Sequence, residues 1–147
     1  MLIRRGLLSK YYKHVKNHPD TMIARFYGLF RVKIKYMKQI SVVIMDNLMG
    51  EHVSEILRVY DLKGSTHRRI TRFPKNNKSV RKDLNFLQDT EMVMKIKPSM
   101  RQEFKHRLKR DSEFLKQCGL MDYSFLLIFF KKSQWSEERA SFIEHAR

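Results

Sequence analysis

Two short segments carry side chains suited to phosphate chemistry. The first is Asp61-Leu62-Lys63-Gly64-Ser65-Thr66. On an extended chain, positions 61 and 63 project to the same side, and a following glycine lets backbone amides approach a ligand closely. A lysine ammonium is a compact charge that matches a terminal phosphate. The same residues also fit a surface salt bridge followed by a strand-ending turn. The second segment is Met121-Asp122-Tyr123-Ser124, between a helical stripe and an apolar run. An acid at such a junction lies beside the core but at its rim, where carboxylates position or deprotonate a hydroxyl nucleophile. A turn-forming aspartate that bonds nearby amides is the plainer alternative. Neither segment is decisive by itself.

The elements that would hold them can be read from periodicity. Ile3, Leu7, Tyr11 and Val15 recur every fourth residue, widened by Leu8 and Tyr12, which predicts an amphipathic helix ended at Asn17-His18-Pro19. Its acid-free, basic start also has the composition of a mitochondrial presequence; the helix reading places it in the domain. Phe26 to Ile34 alternates, with Phe26, Phe30, Val32 and Ile34 on one face. Ile40 to Leu48 is rich in Val and Ile, and the short basic turn at residues 35–38 predicts an antiparallel hairpin. A third strand is expected from Leu57 to Leu62, stopped by Gly64. Thr66 to Lys82 is polar and basic and reads as a mobile loop or irregular hairpin. The strongest helix begins after Pro98, where Ser99 and Gln102 have capping-box spacing. Phe104, Leu108, Leu115 and Cys118 form its stripe, and Gly119 is placed to cap it. Ser124 to Phe130 reads as a buried strand, and Trp135 to Arg147 as a short terminal helix.

A chain of 147 residues with 42% hydrophobic content can build one core or be a slice of a larger one. Its 31 Lys and Arg against 15 Asp and Glu give a net charge of +16, which favours anionic partners: phosphoinositide membrane, nucleotide phosphates or nucleic acid. No nucleic-acid-binding motif accompanies the charge, so that last class is set aside. The single cysteine, Cys118, excludes an internal disulfide and any cysteine-based zinc site, and suits reducing, cytosolic surroundings. The longest apolar run, Phe125 to Phe130, is far short of the ~20 residues of a membrane-spanning helix.

Taken in order, Phe26 to Lys33, Val42 to Asn47, Tyr60 to Thr66, Lys82 to Leu87, Arg110-Asp111 and Met121 to Ser124 resemble successive signatures of the phosphatidylinositol phosphate kinase family. The type that phosphorylates phosphatidylinositol 4-phosphate on its 5-hydroxyl is nearest. The resemblance runs from about Leu2 to Leu127, and its DLKGS and MDYS strings are specific. It implies an α+β fold related to protein kinases, in which an antiparallel sheet with packed helices forms part of a two-lobed domain. Residues 1–132 would be the central portion of that domain and 133–147 a tail. The resemblance further implies that backbone at Met45, Asp46 and Asn47 bonds adenine, that Lys63 lies near the transferred phosphate, and that Asp122 orients the inositol hydroxyl. Arg69 matches a basic family position, and with Arg68 it is assigned to lipid phosphate. ATP and Mg2+ are the expected cofactors, and the cytosolic face of an anionic phosphoinositide membrane the expected location. Arg68 to Lys82 and Arg101 to Arg110 would supply the basic face, each cation being worth about 1 kcal/mol there.

The match has gaps. The family's glycine-rich loop and nucleotide lysine would precede Leu2, and its Ile-Ile-Asp magnesium motif has no counterpart beyond Phe130, so no metal ligand is assigned. Asn85 stands where the family usually has Asp, and Ile128 and Phe130 replace a glycine and a histidine. The expectation is that the chain alone phosphorylates weakly or not at all. A noncatalytic module, membrane-bound or covered by a protein partner, is the alternative.

Overall fold

The computed structural model describes residues 6–50, 53–92 and 94–131. The expected terminal helix at Trp135 to Arg147 lies outside them. The first helix, α1, spans Leu7–Asn17 and buries Leu7, Tyr11 and His14. Two expected stripe members, Leu8 and Tyr12, are exposed instead. The buried face is rotated toward His14 because an acid on another helix receives its ring.

A hairpin follows. β1 (Phe26–Val32) and β2 (Ile40–Met45) pair antiparallel, with Phe30 opposite Val42 and Val32 opposite Ile40. A register shift between Phe26 and Gly28 breaks the regular alternation of β1. The hairpin is tied to α1 through Tyr11. Its ring stacks on Phe26 at 4.6 Å, and its hydroxyl accepts from Phe26 N and donates to Ala24 O.

The second sheet holds the core. β3 (Ile56–Leu62) lies between β4 (Val80–Arg81), parallel to it, and β5 (Phe125–Phe130), antiparallel to it. The β3–β4 pair is the parallel exception in the expected antiparallel arrangement. Ile56, Val59 and Tyr60 are buried. Burying such a side chain contributes about 1.5–3 kcal/mol, which explains why β3 is the central strand. Tyr60 meets Phe86 and Phe129 edge-on and bonds Asp89. β5 is half-buried along its whole length rather than fully buried.

Residues 66–82 are more ordered than the expected mobile loop. Val80 and Arg81 join the sheet, and α2 (Asp83–Gln88), a short helix missed in the sequence, follows at once. Asn85 on α2 holds the preceding loop. Its Oδ1 accepts from Thr71 N (2.8 Å) and Lys82 N (3.1 Å), while its Nδ2 donates to Thr71 O (3.1 Å). An aspartate could not make that last bond, which gives a physical reason for the asparagine here.

The long helix α3 spans Pro98–Gln117. Its expected capping box fails, because Pro98 occupies the first helical position and Lys97, extended before the proline, is the N-cap. Ser99 is therefore already inside the helix. The C-terminal expectation holds: Gly119 has φ +66°, and Gly119 N and Leu120 N bond Lys116 O and Leu115 O. The stripe is only partly as expected, since Leu108 is exposed and Asp111 is buried. Asp111 is the acid that receives His14.

Candidate phosphate-handling site

β3 delivers Lys63 to its C-terminal end, and the turn between α3 and β5 delivers Asp122. The structure brings these two together: Lys63 Nζ lies 3.1 Å from Asp122 Oδ1, across 59 positions of sequence. The Asp122 side chain is 89% exposed and that of Lys63 30% exposed. An ion pair this open is worth at most about 1 kcal/mol. An incoming phosphate or hydroxyl could therefore replace either partner at little cost. Asp122 has φ +60°, a left-handed conformation that costs a non-glycine residue energy and is often retained at functional sites.

The turn carrying Lys63 is clamped from beneath. Gly64 has φ +72°, which lets the chain reverse, and Asp83 at the start of α2 reaches into the reversal. Asp83 Oδ1 accepts from Lys63 N at 3.0 Å and Gly64 N at 2.8 Å. Its Oδ2 accepts from Arg69 Nε at 2.7 Å. Burial pushes the Asp83 carboxyl up, but Arg69 and the backbone amides outweigh it and hold it down to about 2. Arg69 also bonds Asp61 O and sits 3.4 Å from Asp61 Oδ2. Asp61 therefore turns toward Arg69 rather than joining Lys63.

This arrangement redistributes the residues expected to bind lipid phosphate. Arg68 is exposed, at a left-handed turn position, and free of the clamp. Arg69 is buried at 8% exposure with its guanidinium engaged by two carboxylates. A lipid phosphate would have to displace them. Asp83 itself was legible only as part of the Lys82 to Leu87 string; its carboxylate partners come from a strand end about 20 positions away, which periodicity does not reveal.

The expected adenine segment lies elsewhere, at the end of β2. Asp46 N donates to Arg25 O, and Asp46 Oδ2 accepts from Arg25 N at 3.0 Å. Tyr27 donates its hydroxyl to Asp46, a bond that, with Arg25, holds the carboxyl below its ordinary range despite burial. Asn47 turns back on itself, its Oδ1 accepting from Met49 N and its carbonyl from Gly50 N. Met45 is half exposed. An adenine would thus meet the edge of this segment at groups other than Asp46 N and Asn47 O. A cavity of about 260 Å³ adjoins the same hairpin, lined by Leu8, Phe26, Tyr27, Gly28, Leu29 and Val43. It does not include Lys63 or Asp122.

Magnesium fits the described residues poorly. Among them no three His, Cys, Asp or Glu side chains gather as a cation would require. Asp122 has a lysine ammonium at its carboxylate, so no step is derived through a metal here. Among the described residues no helix is long and apolar enough to cross a membrane.

Comparison with known proteins gives one consistent answer. The family model described as phosphatidylinositol-4-phosphate 5-kinase matches residues 1–146. Phosphatidylinositol 4-phosphate 5-kinase its3 of Schizosaccharomyces pombe is 38% identical over 128 residues, covering 84% of this chain and 17% of its own length. Phosphatidylinositol 4-phosphate 5-kinase 4 of Arabidopsis thaliana is 37% identical over 138 residues, covering 90% and 17%. The Plasmodium falciparum phosphatidylinositol 4-phosphate 5-kinase is 30% identical over 156 residues, covering 97% and 9%. The chain thus spans about a sixth, or less, of the length of these relatives.

Proposed function

This chain belongs to the phosphatidylinositol-4-phosphate 5-kinase family, and from that premise we propose that it carries the phosphate lysine and the hydroxyl-orienting acid of a lipid kinase domain. The observation that carries the reading is the meeting of Lys63 Nζ and Asp122 Oδ1 at 3.1 Å, from segments 59 positions apart. In the proposed reaction the 5-hydroxyl oxygen of phosphatidylinositol 4-phosphate forms a bond to the γ-phosphorus of ATP. The bond from that phosphorus to the bridging oxygen breaks, and ADP leaves with the electron pair. Asp122 orients the hydroxyl and takes its proton. Lys63 neutralises charge on the transferred group. Such catalysis depends mainly on positioning and electrostatics.

Met45, Asp46 and Asn47 are the proposed nucleotide edge, and Arg68 the proposed lipid-phosphate contact. Arg72, Lys75 and Lys78 are exposed beyond it, as are Arg101, Lys105 and Lys109 along α3. These cations suit an anionic phosphoinositide surface at the cytosolic membrane face.

The absence of an acid cluster among the described residues implies weak turnover by the 147-residue chain by itself. The test is a lipid-kinase assay with ATP, magnesium and vesicles containing phosphatidylinositol 4-phosphate. The protein that carries this segment within its flanking sequence should turn over, and the 147-residue chain should fall far below about 1 per second. Turnover by the short chain at kinase rates would contradict the division of labour, and none by the longer protein would sink the kinase reading.

A noncatalytic module is the second reading, favoured by the outer face of the hairpin. Phe30, Ile40, Val42 and Ile44 are each at least 40% exposed there. Apolar faces of this kind mark contact surfaces.

A further inference from the structure

We propose that Asp83, acting with Arg69, is a positioning residue that sets where Lys63 stands; the inference rests on the kinase reading of Lys63. Asp83 is 7% exposed and touches neither Lys63 Nζ nor Asp122. Its effect passes through backbone. One carboxylate oxygen receives the consecutive amides of Lys63 and Gly64, and the other receives Arg69. Two adjacent N–H bonds to one oxygen fix the direction in which the chain leaves β3, and with it the root of the Lys63 side chain.

The brace is closed on its other side. Arg69 reaches Asp61 on β3, two residues before Lys63, through both the carbonyl and the carboxylate. Leu84 N, beside Asp83, donates to Arg69 O at 2.9 Å. Arg69 is thus bonded to the strand before the turn and to the helix beneath it. Asp61 cannot substitute for Asp83, because its Oδ1 is buried without a hydrogen-bond partner and faces no amide of the turn. Arg69 on this account holds the turn in place, instead of contacting the lipid headgroup as its sequence position suggested.

Asparagine is the discriminating change at 83. It keeps the shape but must point its NH2 either at Arg69 Nε or at the Lys63 and Gly64 amides, donor against donor. A displacement of about 1 Å at a positioning group lowers turnover by up to about 100-fold. The test uses the protein with its flanking sequence, phosphatidylinositol 4-phosphate vesicles, ATP and magnesium, together with amide hydrogen exchange. Asp83→Asn should lower kcat by about 10- to 100-fold while KM for vesicles stays within about twofold. Exchange should quicken at Lys63 and Gly64 but not at Val59 or Tyr60. Arg69→Lys, which keeps the charge but loses the fork, should show the same kcat signature, and Asp83→Glu a partial recovery.

A raised KM with unchanged kcat in Arg69→Lys would make Arg69 a lipid contact and overturn the assignment. Unchanged kcat in Asp83→Asn would overturn it as well. If Asp83→Asn does not fold, Asp83→Glu and Arg69→Lys carry the comparison. Absence of turnover in the unaltered protein would sink the kinase reading instead. The exchange comparison needs no substrate and would still decide the brace: equal exchange at Lys63 and Gly64 would refute it.

Discussion

A carboxylate that accepts two neighbouring amides and a guanidinium loses all three bonds when it is protonated. Asp83 is held at about 2, below its ordinary 3.8. A carboxyl lowered in this way contributes stability that is complete above about pH 4. As pH falls from about 4 toward about 2 the unfolded chain binds its proton first, and the contribution disappears. Burial pushes Asp111 up, but His14, Met22 N and further partners outweigh it and hold it below the ordinary range, so it acts in the same direction. Urea unfolding across a pH series should therefore show stability falling in this window. Asp83→Asn should be less stable at neutral pH and flatter between pH 4 and 2. A variant with the original slope would show that the brace does not govern acid sensitivity.

At the scale of elements, the most consequential contact is one that no periodicity announced. His14 on α1 lies 2.9 Å from Asp111 on α3 and stacks on Phe114 at 4.0 Å. The other Asp111 oxygen accepts from Met22 N at 2.7 Å. Asp20 adds exposed pairs to Arg107 and Arg110 beside it. His14→Ala would strand a buried carboxylate and open space against Phe114. It should lower stability by about 3–5 kcal/mol in urea titration, whereas Asp111→Asn, which can still accept from Met22 N, should cost less. Comparable losses in the two variants would mean that packing, not the polar pair, joins the helices.

The whole molecule explains which features were legible. The hairpin, β3 with its stop at Gly64, and the end of α3 at Gly119 depend on local patterns, and local sequence reveals them. Asp83, Arg69, His14 and Asp111 are paired across 14 to 97 positions, and their burial follows from tertiary closure. The capping-box reading at Ser99 failed because a neighbouring proline moved the helix start by local sterics. The loop at 66–82 read as mobile because its ordering partner, Asn85, lies beyond its end. Lys63 and Asp122 became recognisable through family strings rather than through spacing. Their proximity is a property of the closed fold.

If both side chains act on one transferring phosphoryl group, their effects on turnover cannot be independent. The decisive measurement is a double-mutant cycle on kcat in the protein with its flanking sequence, using Lys63→Met, Asp122→Asn and the pair. The account predicts large losses in each single variant, about 100-fold or more, with the double variant scarcely worse than the poorer single. Losses that multiply in the double variant would place the two residues in separate tasks and contradict the account.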